Sequence, residues 1–274
     1  MTKLSLRQSV VTYLLIGILL VIFMIPIYLI VASSLKPAAE MFSRPPAIFF
    51  TPTLQHYVDL FTLRPFHRNL INSLIVTLGS TAFSVFFGTL GAYALARIRH
   101  PRIADVAFWI LSMRMFPPIA VVVPYYIIFK ALGLLDTPLA LIVVYSTANV
   151  PLTVWLMKGF FDEIPEALEE AAQVDGYGVA EIFWRITLPL AAPGLAVSAV
   201  FCFIFSWNEF LFALMLTGSN TQTATVAVMS FWSSDAVQWG RIMAGSFIIL
   251  IPGVVFVLTC QRWLVKGLTL GSVK

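Results

Sequence analysis

Six long stretches of this chain are apolar and nearly free of charged side chains, and no other feature limits the fold as much. A helix that crosses a bilayer needs about 20 consecutive, mostly apolar residues. We predict an all-α membrane protein with transmembrane helices over residues 11–33, 70–96, 106–129, 138–157, 187–208 and 242–262. The connections are too short for a separate soluble domain, so residues 1–274 are predicted to form a single transmembrane domain.

The composition of the chain supports the same class. Hydrophobic residues make up 59% of the chain and charged residues 11%. Soluble domains average about 45–50% apolar and about 25% charged residues. A water-soluble fold could not bury so much apolar surface. The composition therefore excludes a soluble enzyme, a nucleic-acid-binding domain and a disordered chain.

The placement of Lys and Arg predicts the orientation in the membrane, because cytoplasmic loops are enriched in these residues. They cluster before the first span, between the second and third spans, and after the sixth span: Lys3, Arg7, Arg97, Arg99, Arg102, Arg262, Lys266 and Lys274. An even number of spans puts both termini on one side. We therefore expect a multi-pass protein of the cytoplasmic membrane with both termini in the cytoplasm.

Small residues recur every four positions along the second span. They are Ser80, Ser84, Gly88, Ala92 and Ala96. Four-residue spacing places them on one face of a helix, where another helix can approach closely. The stripe predicts a helix-packing face, and a pore-lining face is the alternative.

The connection over residues 158–185 is unusually acidic, with seven of the thirteen Asp and Glu residues of the chain. Pro165 suits the first turn of a helix, and Gly176 suits the left-handed end of one. The positions predicted to share a face of the first helix are Leu168, Ala171, Ala172 and Asp175. We predict a helical hairpin over residues 160–188. Because anionic lipid repels acidic helices, docking into a protein partner is favoured over a helix lying on the membrane surface.

The hairpin resembles the "EAA" signature of permease subunits in binding-protein-dependent ABC importers. The matching positions are Glu170, Ala171, Ala172, Asp175, Gly176, Phe183, Ile186, Leu188, Pro189 and Pro193. Tyr177 departs from the family pattern, which usually has Ala there. Further segments resemble the maltose-permease branch, which carries sugars, and they include residues 33–37, 91–97, 207–210 and 267–274.

The resemblance implies the ABC type I importer permease fold, with a cytoplasmic coupling hairpin, in the bacterial inner membrane. Such a chain forms half of the translocation pathway of an ATP-driven importer for a carbohydrate, namely an oligosaccharide, a sugar derivative or a polyol. The implied partners are a second homologous permease subunit, two ATP-binding cassette ATPase subunits, an extracytoplasmic solute-binding protein and membrane lipid. Nucleic acid is not an expected partner.

The same resemblance assigns residues to the coupling of transport to ATP hydrolysis. The implied coupling residues are Glu170, Ala171, Ala172, Asp175, Gly176, Phe183, Leu188 and Pro189. A C-terminal tail would reach the ATPase interface through Leu268, Thr269, Gly271 and Lys274. ATP and Mg²⁺ would be bound by the ATPase subunits, and no cofactor by this chain. The sequence contains no phosphate-binding loop of the G-x-x-x-x-G-K-[ST] type, so we expect no catalytic activity of its own.

Polar and ionisable residues inside the spans are candidates for a solute pathway, because such residues are costly in a membrane. The candidates are Arg114, Tyr145, Asn149, Asn208 and Glu209. Arg114 faces the solute, pairs with Glu209 or another subunit, or extends to a lipid headgroup. The asparagines contact solute hydroxyls or hydrogen-bond between helices, and Tyr145 stacks on a sugar or belongs to the interfacial aromatic belt. The histidines are scattered, and no metal site is expected.

Two other functions compete with the importer permease: an ion-coupled secondary carrier for a small polar solute, and a structural subunit without transport activity. Secondary carriers often contain inverted repeats with broken helices at the membrane midplane. The sequence shows no convincing internal repeat, and only Arg114 interrupts a span. These observations favour the importer permease.

Overall fold

The computed structural model describes residues 6–43, 49–232 and 237–270, with side chains over 8–43, 49–232 and 237–262. The helices in these ranges are α1 (Leu6–Leu35), α2 (Gln55–Thr62), α3 (Phe66–Arg97), α4 (Ile103–Ser112), α5 (Pro118–Ala131), α6 (Pro138–Asp162), α7 (Glu166–Val174), α8 (Val179–Ile182), α9 (Leu188–Leu190), α10 (Ala192–Trp207), α11 (Leu211–Leu216), α12 (Ala224–Met229) and α13 (Trp239–Leu270). Shorter elements are two 3₁₀ turns, Ala38–Glu40 and Met113–Met115, and a π-helical segment, Phe183–Thr187. The predicted all-helical fold is confirmed.

Four single helices are long and apolar enough to cross a membrane, and two bent helix pairs bring the described chain to as many as six candidate spans. The single helices are Gln8–Leu35, Phe66–Arg97, Pro138–Asp162 and Trp239–Arg262. The bent pairs are Ile103–Met115 with Pro118–Ala131, at 88°, and Val179–Leu190 with Ala192–Trp207, at 76°. The first bend divides the predicted third span into two helices, whereas the second bend lies at Ala191, near the start of the predicted fifth span over residues 187–208.

Proline explains the break in the third span. Phe116 and Pro117 leave the helical conformation, with ψ angles of 125° and 129°. Proline disfavours helical backbone at the preceding residue and lacks an N–H group for the helix ladder. The tandem Pro117-Pro118 therefore ends one helix and starts the next. The 3₁₀ turn Met113–Met115, which contains Arg114, lies directly before this break.

The chain forms two compact units, one comprising Met1–Phe66 with Ala227–Leu250, the other His67–Val226 with Ile251–Lys274. A single domain over the whole chain stays a prediction. In the first unit, Arg241 Nη2 and Asp59 Oδ2 form an ion pair at 2.7 Å. The apolar window of α1 has no buried residues, so its side chains are left for lipid or another protein.

In the second unit, α3 packs closely against α6. A Cβ atom at Gly88 would lie 2.6 Å from Thr153 Cβ, so only glycine fits at this contact. Ser80 and Ser84 are fully buried, and Ser80 Oγ donates a hydrogen bond to Ser206 Oγ at 2.9 Å. The predicted packing role of the small-residue stripe is confirmed.

Asp136, in the connection between α5 and α6, fixes the loop that follows α11. Its carboxylate accepts hydrogen bonds from the backbone N–H groups of Gly218, Asn220 and Thr221 and from the Asn220 and Thr221 side chains. Burial alone would raise the pKa of Asp136, but these hydrogen bonds outweigh burial and lower it below its usual value. Asp136 also has a φ of 57°, a conformation that Asp tolerates better than most residues.

Candidate functional site

The predicted hairpin consists of α7, a turn at Gly176, α8, the π-helical segment and α9. Gly176 has a φ of 90°, which confirms the predicted left-handed end of the first helix. Its N–H donates to Gln173 O, and the N–H of Tyr177 donates to Ala172 O, both at 3.0 Å. This pair of bonds is the Schellman motif, which satisfies carbonyl groups at the end of a helix.

The signature residues divide between two faces of the hairpin. Glu170, Ala171, Asp175, Gly176 and Pro189 are exposed, Ala172 and Phe183 are buried, and Leu188 is half-buried. Of the four positions predicted to share a face of α7, Leu168, Ala171 and Asp175 are exposed and Ala172 is buried. The buried residues of α7 are Glu169 and Ala172. An exposed acidic face is thus available to a partner, while the opposite face is held by the protein.

Glu169 is the polar centre of this buried face. Its Oε1 accepts hydrogen bonds from Arg97 Nε and Thr187 Oγ1, both at 2.9 Å. Its Oε2 accepts one from Tyr93 Oη at 3.0 Å. Arg97 also donates to Phe161 O in the last turn of α6, at 3.0 Å, and to Ile164 O just after α6, at 3.3 Å. We call Tyr93, Arg97, Glu169 and Thr187 the tether, because they join α7 to α3, α6 and the π-helical segment.

The electrostatics of the tether favour a charged Glu169. Burial alone would raise the pKa of Glu169, but hydrogen bonds from Arg97, Thr187 and Tyr93 outweigh it, and the net effect lowers that pKa. Glu169 is therefore ionised at neutral pH although it is only 6% exposed. Its negative charge compensates the guanidinium of Arg97 at an N–O distance of 2.9 Å.

An aromatic cluster adjoins the tether. The Tyr93 ring lies 4.9 Å from the Phe183 ring and 5.6 Å from the Phe161 ring, measured between centroids. These residues pack with buried Ala92, Met157 and Ala191. Phe183 therefore anchors the second half of the hairpin to the ends of α3 and α6.

The sequence reasoning missed the tether. The sequence places Arg97 in the cytoplasmic excess of positive charge and in the family-like segment 91–97, and it gives Glu169 no role separate from the six other acidic residues. A signal existed, since Glu169 and Ala172 are three residues apart and share a helix face. Nothing in the sequence pairs this face with Arg97, which lies 72 residues earlier.

The second unit also contains a cavity of about 460 Å³. Four of the five predicted pathway residues line it, namely Arg114, Tyr145, Asn149 and Glu209. Aromatic side chains form much of the remaining wall: Phe116, Tyr125, Phe205 and Phe212. Asn208 does not line the cavity, because it is exposed and donates to Ile204 O within its own helix at 2.8 Å.

Several polar groups of the cavity are held by their own chain. Asn149 Nδ2 donates to Ser206 Oγ at 2.8 Å, so this amide bonds between helices. The Glu209 carboxylate accepts the backbone N–H groups of Phe212 and Ala213 at 2.9 and 3.1 Å, which stabilises the start of α11. The Tyr145 hydroxyl is buried without a hydrogen-bond partner among the described residues.

Arg114 forms no ion pair within the described part of the chain, so the proposed pairing with Glu209 does not form there. Its guanidinium carbon lies 4.3 Å from the centroid of the Phe205 ring. Its Nη1 is buried and has no hydrogen-bond partner among the described residues.

Two groups of predicted positions remain. Leu268 and Thr269 lie in the described backbone of α13, and Gly271 and Lys274 lie outside the described residues. Within the described ranges, His, Cys, Asp and Glu form no group of three that could hold a metal ion.

The fold and the hairpin together define a class: polytopic helical membrane proteins that present a folded helical hairpin outside their spans. Comparison with known proteins agrees with this class. Residues 84–270 match the family described as "Binding-protein-dependent transport system inner membrane component". The chain belongs to this family of transport-system permeases.

Individual relatives match over nearly the whole chain. The trehalose transport system permease protein SugB of Mycobacterium tuberculosis is 40% identical over 92% of this chain and 92% of its own length. The inner membrane ABC transporter permease protein YcjP of Escherichia coli is 38% identical over 94% of each. Among structures, a chain of a bacterial ABC transporter involved in the import of the acidic polysaccharide alginate has a TM-score of 0.77 at 22% identity, covering 96% of this chain and 100% of that one. That structural match supports the importer permease fold.

Proposed function

We propose that this chain is a permease subunit of an ATP-driven importer for a carbohydrate and that it forms half of the translocation pathway. The observation that carries the proposal is the hairpin, whose signature residues are exposed on one face and whose opposite face is tethered to the spans. The family match and the named substrate of the relative SugB support transport of a carbohydrate.

In this function the hairpin transmits movement from the ATPase subunits to the spans. Glu170, Ala171, Asp175 and Gly176 would meet the ATPase, because they are exposed. The tether would pass a displacement of α7 to the ends of α3 and α6, which it joins by hydrogen bonds. ATP and Mg²⁺ would bind to the ATPase subunits, and this chain would contribute no catalytic group.

The remaining partners follow from the same proposal. A second permease subunit would complete the pathway, two ATPase subunits would dock on the cytoplasmic side, and an extracytoplasmic binding protein would deliver the solute. The cavity lined by Arg114, Tyr145, Asn149 and Glu209 would form part of the solute pathway. The excess of Lys and Arg supports cytoplasmic termini in the inner membrane.

Affinity purification of the tagged chain from its native membranes, followed by mass spectrometry, tests this function. We expect an ATP-binding subunit and a second permease to co-purify. The variant Glu170→Lys reverses a charge on the exposed face and should reduce ATPase recovery while the second permease is retained. The control Glu40→Lys makes the same charge change on the opposite side of the membrane and should leave ATPase recovery unchanged. A wild-type chain that purifies alone, and takes up solute without ATP, would establish a secondary carrier instead.

A further inference from the structure

Arg114 is a cation that its own chain positions but that no anion of the described residues neutralises. The Phe205 ring holds the guanidinium on one side, and Nη1 has no acceptor among the described residues. The carboxylate that lines the same cavity, Glu209, is already bound to the N–H groups of Phe212 and Ala213. An unpaired arginine inside a membrane protein is costly and marks a functional site.

The depth of Arg114 argues against a lipid headgroup as its partner. Arg114 follows the start of α4 by eleven residues, which is about 16 Å along a helix axis. Half the thickness of the hydrocarbon core is about 15 Å. Arg114 therefore lies beside the break at Phe116 and Pro117, away from both ends of the predicted span over residues 106–129, and it lines a cavity of about 460 Å³.

We propose that Arg114 binds an anionic group of the imported solute, so that the solute is an acidic carbohydrate carrying a carboxylate, sulfonate or phosphate. This inference rests on the proposed importer function. A guanidinium binds such oxyanions through two parallel N–H bonds, which a neutral sugar hydroxyl does not match.

The rest of the cavity suits the sugar that carries this anion. The rings of Phe116, Tyr125 and Phe212 provide apolar surface for a sugar face. Tyr145 lines the same cavity, and its hydroxyl, which has no hydrogen-bond partner among the described residues, could bond to a solute hydroxyl. A mostly apolar cavity with a few placed polar groups is the usual form of a small-molecule site.

Glucuronate and glucose test the proposal, because they differ only at C6, where glucuronate has a carboxylate in place of the hydroxymethyl group of glucose. The permease pair with its ATPase subunits is placed in lipid nanodiscs without the binding protein, and binding of each probe is measured by saturation-transfer NMR. We expect glucuronate to bind at least about tenfold more tightly than glucose. Arg114→Gln should abolish this preference, and Arg114→Lys should retain part of it. Equal binding of the two probes, or an unchanged preference in Arg114→Gln, would overturn the proposal.

Recovery of the subunits separates this proposal from the proposed function. If the wild-type chain purifies with its ATPase and second permease but shows no glucuronate preference, only the assignment of Arg114 fails. If no ATPase accompanies the wild-type chain, the importer function itself fails. A third outcome is that Arg114→Gln no longer co-purifies with the second permease and wild-type complexes show no preference for glucuronate. Arg114 then pairs with that subunit, and its assignment to a solute site is wrong.

Discussion

Two glutamates on α7 differ in their surroundings, although both pair with an arginine at the end of α3 or just after it. Glu169 is buried and pairs with Arg97, whereas Glu166 pairs with the exposed Arg99 at the surface. Exposed ion pairs contribute little to stability because water screens them. Breaking a buried pair leaves a charge without compensation. Position, more than residue type, therefore decides what each glutamate does.

We predict that Glu169→Gln destabilises the attachment of the hairpin by about 3 kcal/mol, because the half-buried Arg97 loses its counter-charge. The ratio of solute-stimulated to basal ATP hydrolysis in the reconstituted complex should fall as well. Glu166→Gln is the matched control, since it removes the same charge from the same helix at an exposed pair. Equal effects of the two substitutions on thermal unfolding would contradict the role of the tether.

We predict that the contribution of Asp136 to stability depends on pH. Its hydrogen bonds lower its folded-state pKa from the usual 3.8. The stabilisation by Asp136 is therefore complete above the unfolded-state pKa of 3.8. It is lost as the pH falls from there through the folded-state pKa, which is lower. Asp136→Asn should cost roughly 1–2 kcal/mol at pH 7. Between pH 5 and strongly acidic conditions its melting temperature should fall less than that of the wild type. If the melting temperatures of Asp136→Asn and the wild type fall by the same amount over this pH range, the prediction is wrong.

At the scale of elements, the left-handed turn at Gly176 fixes where α7 ends and so how α7 and α8 are joined. Gly178, two residues later, has a φ of −75°, which any residue can adopt. Neither glycine has another atom within 4 Å of a built Cβ. The two positions therefore differ in backbone conformation alone.

We predict that Gly176→Ala strains the turn by about 1–2 kcal/mol, because a Cβ atom is unfavourable at positive φ. The variant should weaken the stimulation of ATP hydrolysis by solute. Gly178→Ala should leave it near the wild-type level. The assay is ATP hydrolysis of the reconstituted complex with and without loaded binding protein. A loss in both variants would mean that added bulk, and not the turn, is responsible.

The sequence predicted the elements that depend on local chemistry. Apolar runs located the spans, the small residues on α3 located a packing face, and Gly176 located a turn. The contacts between distant segments were not predictable in this way. A buried Glu169–Arg97 pair and a cavity that gathers Arg114, Tyr145 and Glu209 depend on tertiary packing. The buried side of α7 was not predictable from local chemistry either, because the structure buries a carboxylate there with four specific contacts.

At the scale of the whole molecule, apolar surface faces outward along the spans. Large hydrophobic side chains of α1 and α3 are exposed, among them Phe23, Leu29, Phe83 and Phe87. A membrane supplies the apolar surroundings that such a surface requires. The orientation within that membrane stays a prediction from the distribution of Lys and Arg.

Labelling of single cysteines measures that orientation. His100→Cys lies in the loop between the second and third spans and is expected in the cytoplasm, whereas Phe49→Cys, at a position 95% exposed in the native chain, is expected outside. A membrane-impermeant maleimide should label only Phe49→Cys in intact spheroplasts. In inverted vesicles it should label only His100→Cys. The native Cys202 is buried and Cys260 is partly so, and a variant lacking both provides the background. The reverse pattern would invert the topology.

The tether limits how freely parts of this permease can be exchanged with those of a relative. Residues 160–188 look like a self-contained module, yet the carboxylate of Glu169 needs Tyr93 and Arg97 from a span that ends more than sixty residues earlier. A hybrid that receives a foreign hairpin without the matching end of α3 would carry a half-buried arginine without its carboxylate partner. Hybrids in which only residues 160–188 are exchanged should therefore be inactive. Hybrids in which residues 91–97 are exchanged together with the hairpin should keep the two segments compatible.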